Sequence, residues 1–141
     1  MEGRFIVSGR DETRALAENF LNDLHGNEFI SLTGNLGAGK TFFVKILGEI
    51  AGLKGVSSPT FAILNYYEGG KINLYHYDFY RIKKAEELYD IGFYENLDDD
   101  SAVKIAEWAD LFPEAIPSQH ISVSINLLDN NDREYTFKHI R

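Results

Sequence analysis

Cysteine is absent from all 141 residues, so neither a disulfide framework nor a thiolate metal site is available, which fits a reducing compartment. No apolar run approaches the roughly 20 residues that cross a bilayer, so no membrane partner is expected. The opening Met1-Glu2-Gly3-Arg4-Phe5 lacks the basic, apolar, small-residue order of a secretory signal, and a cytoplasmic location is the expectation. Basic charge is scarce. Fourteen Lys and Arg stand against 22 Asp and Glu, a formal charge of −8, and such a surface repels a phosphate backbone. Repeats, low-complexity tracts and linkers are also missing, and the length suits one domain over residues 1–141. A hydrophobic content of 44%, with 13% aromatic residues, is enough for an ordinary core.

Catalytic constellations built on histidine or serine are lacking too. His25, His120 and His139 are scattered without ligand spacing, and no Ser-His-Asp arrangement emerges. His76 lies in a strand-like run beside Asp78, where it could tune a site, but it reads better as a packed or surface residue.

Against these absences stands one loop, Gly34-Asn35-Leu36-Gly37-Ala38-Gly39-Lys40-Thr41, which matches G-x-x-x-x-G-K-[ST]. A local cluster of backbone N–H groups, one lysine and a metal ion can capture a polyanion such as ATP whatever the global charge. The glycines let the backbone wrap closely, and the following helix adds the positive end of its dipole. Lys40 would bring a point charge to the β and γ phosphates. The Thr41 hydroxyl is a hard oxygen suited to Mg²⁺. The binding stretch is expected to take in Asn35, Leu36, Gly37, Ala38, Gly39, Lys40 and Thr41 and to reach position 42, Phe42.

The context suits the motif, because residues 28–33 read as a short apolar strand and 40–51 carry helical spacing at Phe43, Ile46, Leu47 and Ile50. Upstream, 5–8 reads as a strand and 11–24 as a helix with Leu16, Phe20 and Leu24 on one face. Downstream, 61–67 and 72–79 flank Glu68-Gly69-Gly70-Lys71, whose paired glycines suggest the positive φ angles of a tight hairpin. A short helix is expected at 85–90, a solvated acidic turn at Asp98-Asp99-Asp100, and a strand over 102–106 ending in Glu107-Trp108. Strands at 121–128 and 134–140 bracket a turn at Asp129-Asn130-Asn131-Asp132. The expected fold class is α/β: a P-loop NTPase-like mixed sheet, parallel at its centre with antiparallel additions and flanked by helices.

A metal ligand or water-orienting acid belongs at the end of a neighbouring strand. Asp78 and Glu107 both qualify by position, and spacing does not choose between them. Trp108 either walls the nucleotide or belongs to the core. The run Ser57-Ser58-Pro59-Thr60-Phe61 sits where phosphate-sensing segments often lie.

Other P-loop classes lack their marks. The Asn-Lys-x-Asp guanine reader of a GTPase is absent, and Asp23-Leu24-His25-Gly26 precedes the loop. A small-molecule kinase would carry several lid arginines, whereas Arg81 is the only Arg between Thr41 and Arg133. What remains is an ATP-binding switch whose output goes to another protein. A nucleotide-dependent binding module with little catalysis and a small-metabolite kinase stand as the alternatives.

The loop, then Ser58-Pro59-Thr60-Phe61, Leu74-Tyr75-His76-Tyr77-Asp78-Phe79-Tyr80-Arg81 and Glu107-Trp108, resemble in order the bacterial TsaE (YjeE) family of small P-loop ATPases. The central Tyr-His-Tyr-Asp-Phe-Tyr-Arg block is far more specific than the phosphate loop. The resemblance implies a part in making N6-threonylcarbamoyladenosine in tRNA. In that role ATP hydrolysis supports turnover of a complex with TsaB and TsaD, and tRNA is met only indirectly. Carried over by position, the resemblance implies that Lys40 holds phosphates, Thr41 and Glu107 serve Mg²⁺, Asp78 is the Walker B-like acid and Trp108 lines the site. It also implies a switch segment at Ser58-Pro59-Thr60, with Thr13 and Arg133 near the base or ribose. Asn35 and Ala109 depart from the Asp or Glu and the Pro often found at those places, and neither is a proposed ligand.

Overall fold

The computed structural model describes residues 1–35, 37–56 and 63–141. Expectations for Leu36 and for Ser57, Ser58, Pro59, Thr60 and Phe61 therefore lie outside the described residues.

Strand β1 (Gly3–Val7) leads into helix α1 (Gly9–Asp23), and β2 (Phe29–Gly34) runs into the phosphate loop and α2 (Lys40–Ala51). β3 (Leu64–Tyr67) and β4 (Asn73–Asp78) form a hairpin, followed by a 3₁₀ turn at Phe79–Arg81. Two short helices follow, α3 (Glu87–Asp90) and α4 (Phe93–Leu97), and then β5 (Ala102–Glu107). Two further 3₁₀ turns precede the final hairpin of β6 (His120–Leu127) and β7 (Arg133–Ile140).

All seven strands form one sheet in the order β1-β7-β6-β2-β5-β4-β3. β6, β2, β5 and β4 are mutually parallel, while β7 and β1 on one side and β3 on the other add antiparallel edges. This is the mixed sheet expected from the sequence. The two parallel strands beside the phosphate loop are buried on both faces, so their sequences, Phe29 to Gly34 and Ala102 to Glu107, read as runs rather than alternations.

One core lies between α1, α2 and the sheet, where Phe20, Phe43, Tyr135 and Phe137 pack ring against ring. Each fully buried large side chain of this kind contributes roughly 2 kcal/mol. The opposite face of β4, β5 and β2 carries a second core of Phe29, Tyr77, Phe79 and Phe93 under α3, α4 and the 3₁₀ turns. The departure Ala109 is fully buried there.

Local expectations change in three places. In the β3–β4 turn only Gly69 takes positive φ (+97°). Gly70 is required for another reason: a Cβ there would come within 2.2 Å of the Ala51 carbonyl oxygen, to which Lys71 N–H donates at 2.7 Å. The helix expected over 85–90 is confined to Glu87–Asp90, and α4 follows it after Gly92, which adopts positive φ. The acidic turn is not simply solvated. Asp99 accepts from Ser101 N–H and from the Ser101 and Tyr75 hydroxyls, and its carbonyl accepts from buried Lys104 Nζ at 2.9 Å. Lys104 Nζ donates also to the Asn27 and Ala102 carbonyls, so this buried cation laces the start of β2 to the start of β5. Among the described residues no helix is long and apolar enough to cross a membrane.

Candidate functional site

The carboxyl ends of β2, β4 and β5 meet at one place, beside the N-terminus of α2. β2 lies between two parallel neighbours, β5 and β6, so the loop leaving it opens into a crevice where the chain connections diverge. Gly34 ends β2 with φ +149°, and a Cβ there would stand 2.4 Å from the Ile125 carbonyl oxygen. Gly39, with φ +103°, is the N-cap of α2, and no side chain caps the helix. The first N–H groups of α2 are thus left for a ligand. Arg133 Nε donates to the Ala38 carbonyl at 2.9 Å, bracing the loop from β7.

Lys40 is buried with its ammonium turned back onto the loop. Nζ donates to the carbonyls of Gly34 at 2.6 Å and Asn35 at 3.0 Å and lies 4.1 Å from the centroid of the Trp108 ring. Burial pushes this ammonium below the usual lysine value, and the charges of Glu107, Asp110 and Asp78 pull it part of the way back.

Thr41, the next residue, donates its hydroxyl to Glu107, with Oε1 at 3.0 Å and Oε2 at 3.1 Å. Glu107 reaches it because β5 adjoins β2 in a register that pairs Leu32 with Glu107. Asp78 is the register partner of Glu107 on β4, one strand farther out. Its oxygens are otherwise engaged: Oδ1 accepts from Tyr80 N–H at 3.1 Å, and Oδ2 from Arg81 Nε at 3.3 Å. Burial raises the Asp78 carboxyl above the usual value and the nearby Glu107 charge adds to this, while Tyr80 N–H, Arg81 and His76 oppose it.

A cavity of about 380 Å³ is lined by Gly37, Lys40, Thr41, Asp78, Glu107 and Trp108, with Tyr80 and Arg81 at its edge. A second, of about 240 Å³, shares Gly39 and Phe42 with it and is lined by Thr13, Arg133 and Arg10. The Arg10 guanidinium stands 5.6 Å over the Phe42 ring, and the Thr13 hydroxyl donates to the Gly9 carbonyl at 2.8 Å. The residues singled out from the sequence thus line two adjoining cavities, apart from Asn35 and Ala38, which line neither, and Leu36 and the Ser58-Pro59-Thr60 run, which lie outside the described residues. A larger cavity, about 460 Å³, opens elsewhere and includes His25, His120 and His139.

Among the described residues no group of three or more His, Asp or Glu side chains is arranged to hold a metal. Magnesium carried by a nucleotide needs only one or two protein oxygens besides phosphates and water, so a hydroxyl and a carboxylate in contact form a suitable donor set.

From sequence, His76 reads as a residue that could tune the site but is better placed as packed or on the surface. It is wholly buried, and its Nε2 lies 2.5 Å from Glu107 Oε2. The signal was available in strand alternation, which puts Leu74, His76 and Asp78 on one face of β4, the face that meets α2. Trp108 takes the left-handed backbone conformation (φ 59°), which turns its ring over Lys40, and it also packs against Tyr80 at 5.0 Å.

The family model for "Threonylcarbamoyl adenosine biosynthesis protein TsaE" matches residues 7–135. The tRNA threonylcarbamoyladenosine biosynthesis protein TsaE of Rickettsia prowazekii is 39% identical over 129 residues, 90% of this chain and 88% of that protein. The protein of the same name from Bacillus subtilis is 36% identical over 128 residues, 90% of this chain and 79% of its own length. In architecture the chain is similar to the crystal structure of Bacillus subtilis YdiB, with a TM-score of 0.77 and 28% identity, covering 100% of this chain and 87% of that one.

Proposed function

The chain belongs to the TsaE family, and from that premise we propose that it binds and hydrolyses ATP with Mg²⁺ in support of tRNA N6-threonylcarbamoyladenosine formation, its hydrolysis sustaining turnover of a TsaB–TsaD complex. The part in threonylcarbamoyladenosine synthesis rests on the relatives' shared name. The nucleotide chemistry rests on a single observation, the convergence of the Lys40 ammonium, the Thr41 hydroxyl and the Glu107 carboxylate at the mouth of one helix.

Each group has one task. The first N–H groups of α2 would receive the β phosphate, while Ala38 N–H is already held by the Asn35 carbonyl. Lys40 exchanges its two backbone carbonyls for β and γ oxygens, a stronger contact because the acceptors are charged. Thr41 and Glu107 would hold the cation, and Asp78 would orient the attacking water. Magnesium supplies neutralisation of the charge that spreads over the transferring phosphoryl oxygens. Trp108 and Tyr80 wall the cavity. Thr13, Phe42 and Arg133 line the space for the nucleoside half.

The acidic surface, with a formal charge of −8, suits a component that meets proteins and leaves tRNA to them. A kinase clamp is not supported, since Arg81 beside the phosphate cavity already pairs with Asp78.

Phosphate release with and without TsaB and TsaD is the test. Hydrolysis that rises with the partners and disappears in Lys40→Ala supports the reading. Retained hydrolysis in Lys40→Ala would refute it, and binding without any hydrolysis in the full assembly would make the chain a nucleotide-dependent binding module.

A further inference from the structure

His76 is a buried, hydrogen-bonding side chain to which the proposed ATP chemistry assigns no task. Its relative exposure is 0%, and it sits on β4 between β3 and β5, on the face covered by α2. One ring nitrogen is engaged: Nε2 stands 2.5 Å from Glu107 Oε2. The other, Nδ1, finds no partner among the described residues. Burying an imidazole nitrogen without a partner is costly, so a histidine held only by packing would be a poor choice here.

We propose that His76 is a positioning residue for the cation site, fixing the plane of the Glu107 carboxylate so that it and the Thr41 hydroxyl present their oxygens together. This rests on the reading of Thr41 and Glu107 as the magnesium-binding pair.

The geometry supplies the reason. A carboxylate only accepts, so the His76 Nε2–H donates to Oε2 while Thr41 donates to Oε1 and Oε2 from the α2 side. Those two donors come from different elements, β4 and the start of α2, and they immobilise both torsions at the end of the Glu107 side chain. Without His76 the carboxylate rotates about its terminal bond, and the cation must then order it on binding. Donors behind a metal-ligating group act in this way, and removing one costs about tenfold or more in metal affinity. Because the effect is confined to the cation, nucleotide binding in the absence of metal should not change.

Two variants separate this from a packing role. His76→Phe keeps bulk and removes the donor, whereas His76→Gln restores an N–H at about the reach of Nε2. ATP affinity is measured calorimetrically with Mg²⁺ and with EDTA, and Mn²⁺ binding to the ATP complex by electron paramagnetic resonance. In wild type Mg²⁺ should strengthen ATP binding. His76→Phe should reduce that enhancement by about tenfold and leave the EDTA affinity within about twofold, with His76→Gln recovering most of the loss. Equal weakening with and without metal, or no recovery in His76→Gln, overturns the positioning role and leaves the ATP reading standing. Wild-type protein that binds ATP no better with Mg²⁺ than in EDTA overturns the magnesium reading itself.

If His76→Phe does not fold, ¹⁵N resonances of the wild-type ring decide. An Nε2–H that shifts when Mg²⁺ joins the ATP complex supports the proposal, and a ring indifferent to Mg²⁺ sinks it.

Discussion

Lys40 and Trp108 stand in contact, the ammonium nitrogen 4.1 Å from the centroid of the indole ring. The arrangement holds the cation in a waiting position, since its other partners are two carbonyls of the loop it is meant to serve. A cation–π contact contributes about 1–2 kcal/mol, less than charge-assisted bonds to phosphate oxygens, so a polyphosphate in the loop draws the ammonium away from the ring.

Trp108 is the only tryptophan in the chain, which makes this movement readable. Its emission should change saturably as ATP is added, and Lys40→Met should abolish the response. An unchanged spectrum at ATP concentrations that calorimetry shows to be saturating counts against the movement.

Two loop glycines should respond differently to alanine. At Gly34 the added Cβ would meet the Ile125 carbonyl oxygen at 2.4 Å with φ at +149°, so backbone must move in both β2 and β6. Gly37→Ala adds only the strain of φ +83°, since no atom of the described residues lies within 4 Å of its Cβ. We expect a loss on the order of 3 kcal/mol for Gly34→Ala and about 1 kcal/mol for Gly37→Ala, read as midpoints in urea. Equal midpoints would mean that the close approach to β6 is relieved without cost.

Buried tyrosines should make the fold sensitive to alkali. Burial pushes Tyr135 up to about 12 from the ordinary 10.0, and its hydroxyl finds no partner among the described residues. Tyr77 is raised as well, chiefly by burial, although Asn96 donates to its oxygen and opposes the rise. Both rings are neutral in folded and unfolded chains below pH 10. Above it the unfolded chain loses its protons first, so stability falls as pH climbs from about 10 towards 12, by roughly 2–3 kcal/mol for Tyr135. Absorbance at alkaline pH should show fewer ionised tyrosines in native than in urea-unfolded protein, and Tyr135→Phe should blunt the pH-dependent loss. Native and unfolded titrations that coincide near pH 10 would contradict this.

Much of the candidate site was legible because the glycine-rich loop motif is defined by backbone requirements that only certain residues meet, and Lys40–Ala51 shows its helix in the spacing of Phe43, Ile46, Leu47 and Ile50. What could not be read was lateral. Whether Asp78 or Glu107 lies nearer Thr41 depends on strand order, and only the placement of β5 beside β2, with β4 outside it, answers that. The bond from His76 to Glu107 was hidden for the same reason, since its partner is 31 residues away across a strand pair. Gly70 looked like a turn residue, but the Ala51 carbonyl it must clear belongs to the end of α2, a contact invisible to local pattern.

That lateral order yields the sharpest division of labour. Glu107 turns both carboxylate oxygens to Thr41, while Asp78 holds Tyr80 N–H with one oxygen and Arg81 with the other. Glu107 is the acid in contact with the Thr41 hydroxyl, the other proposed cation donor, whereas Asp78 stands one strand farther out, a place better suited to orienting a water than to sharing the cation with Thr41. Glu107→Gln should therefore raise the Mg²⁺ concentration for half-maximal ATP binding by about tenfold, whereas Asp78→Asn should leave it within about twofold. Hydrolysis should fall in both, in Glu107→Gln through the weakened cation and in Asp78→Asn through loss of the group proposed to orient the water. Titrations of each variant with Mg²⁺ at fixed ATP, followed by phosphate release at saturating metal, separate the two roles. If Asp78→Asn shows the larger loss of Mg²⁺ affinity, the cation sits toward β4 and the assignments of the two acids must be exchanged.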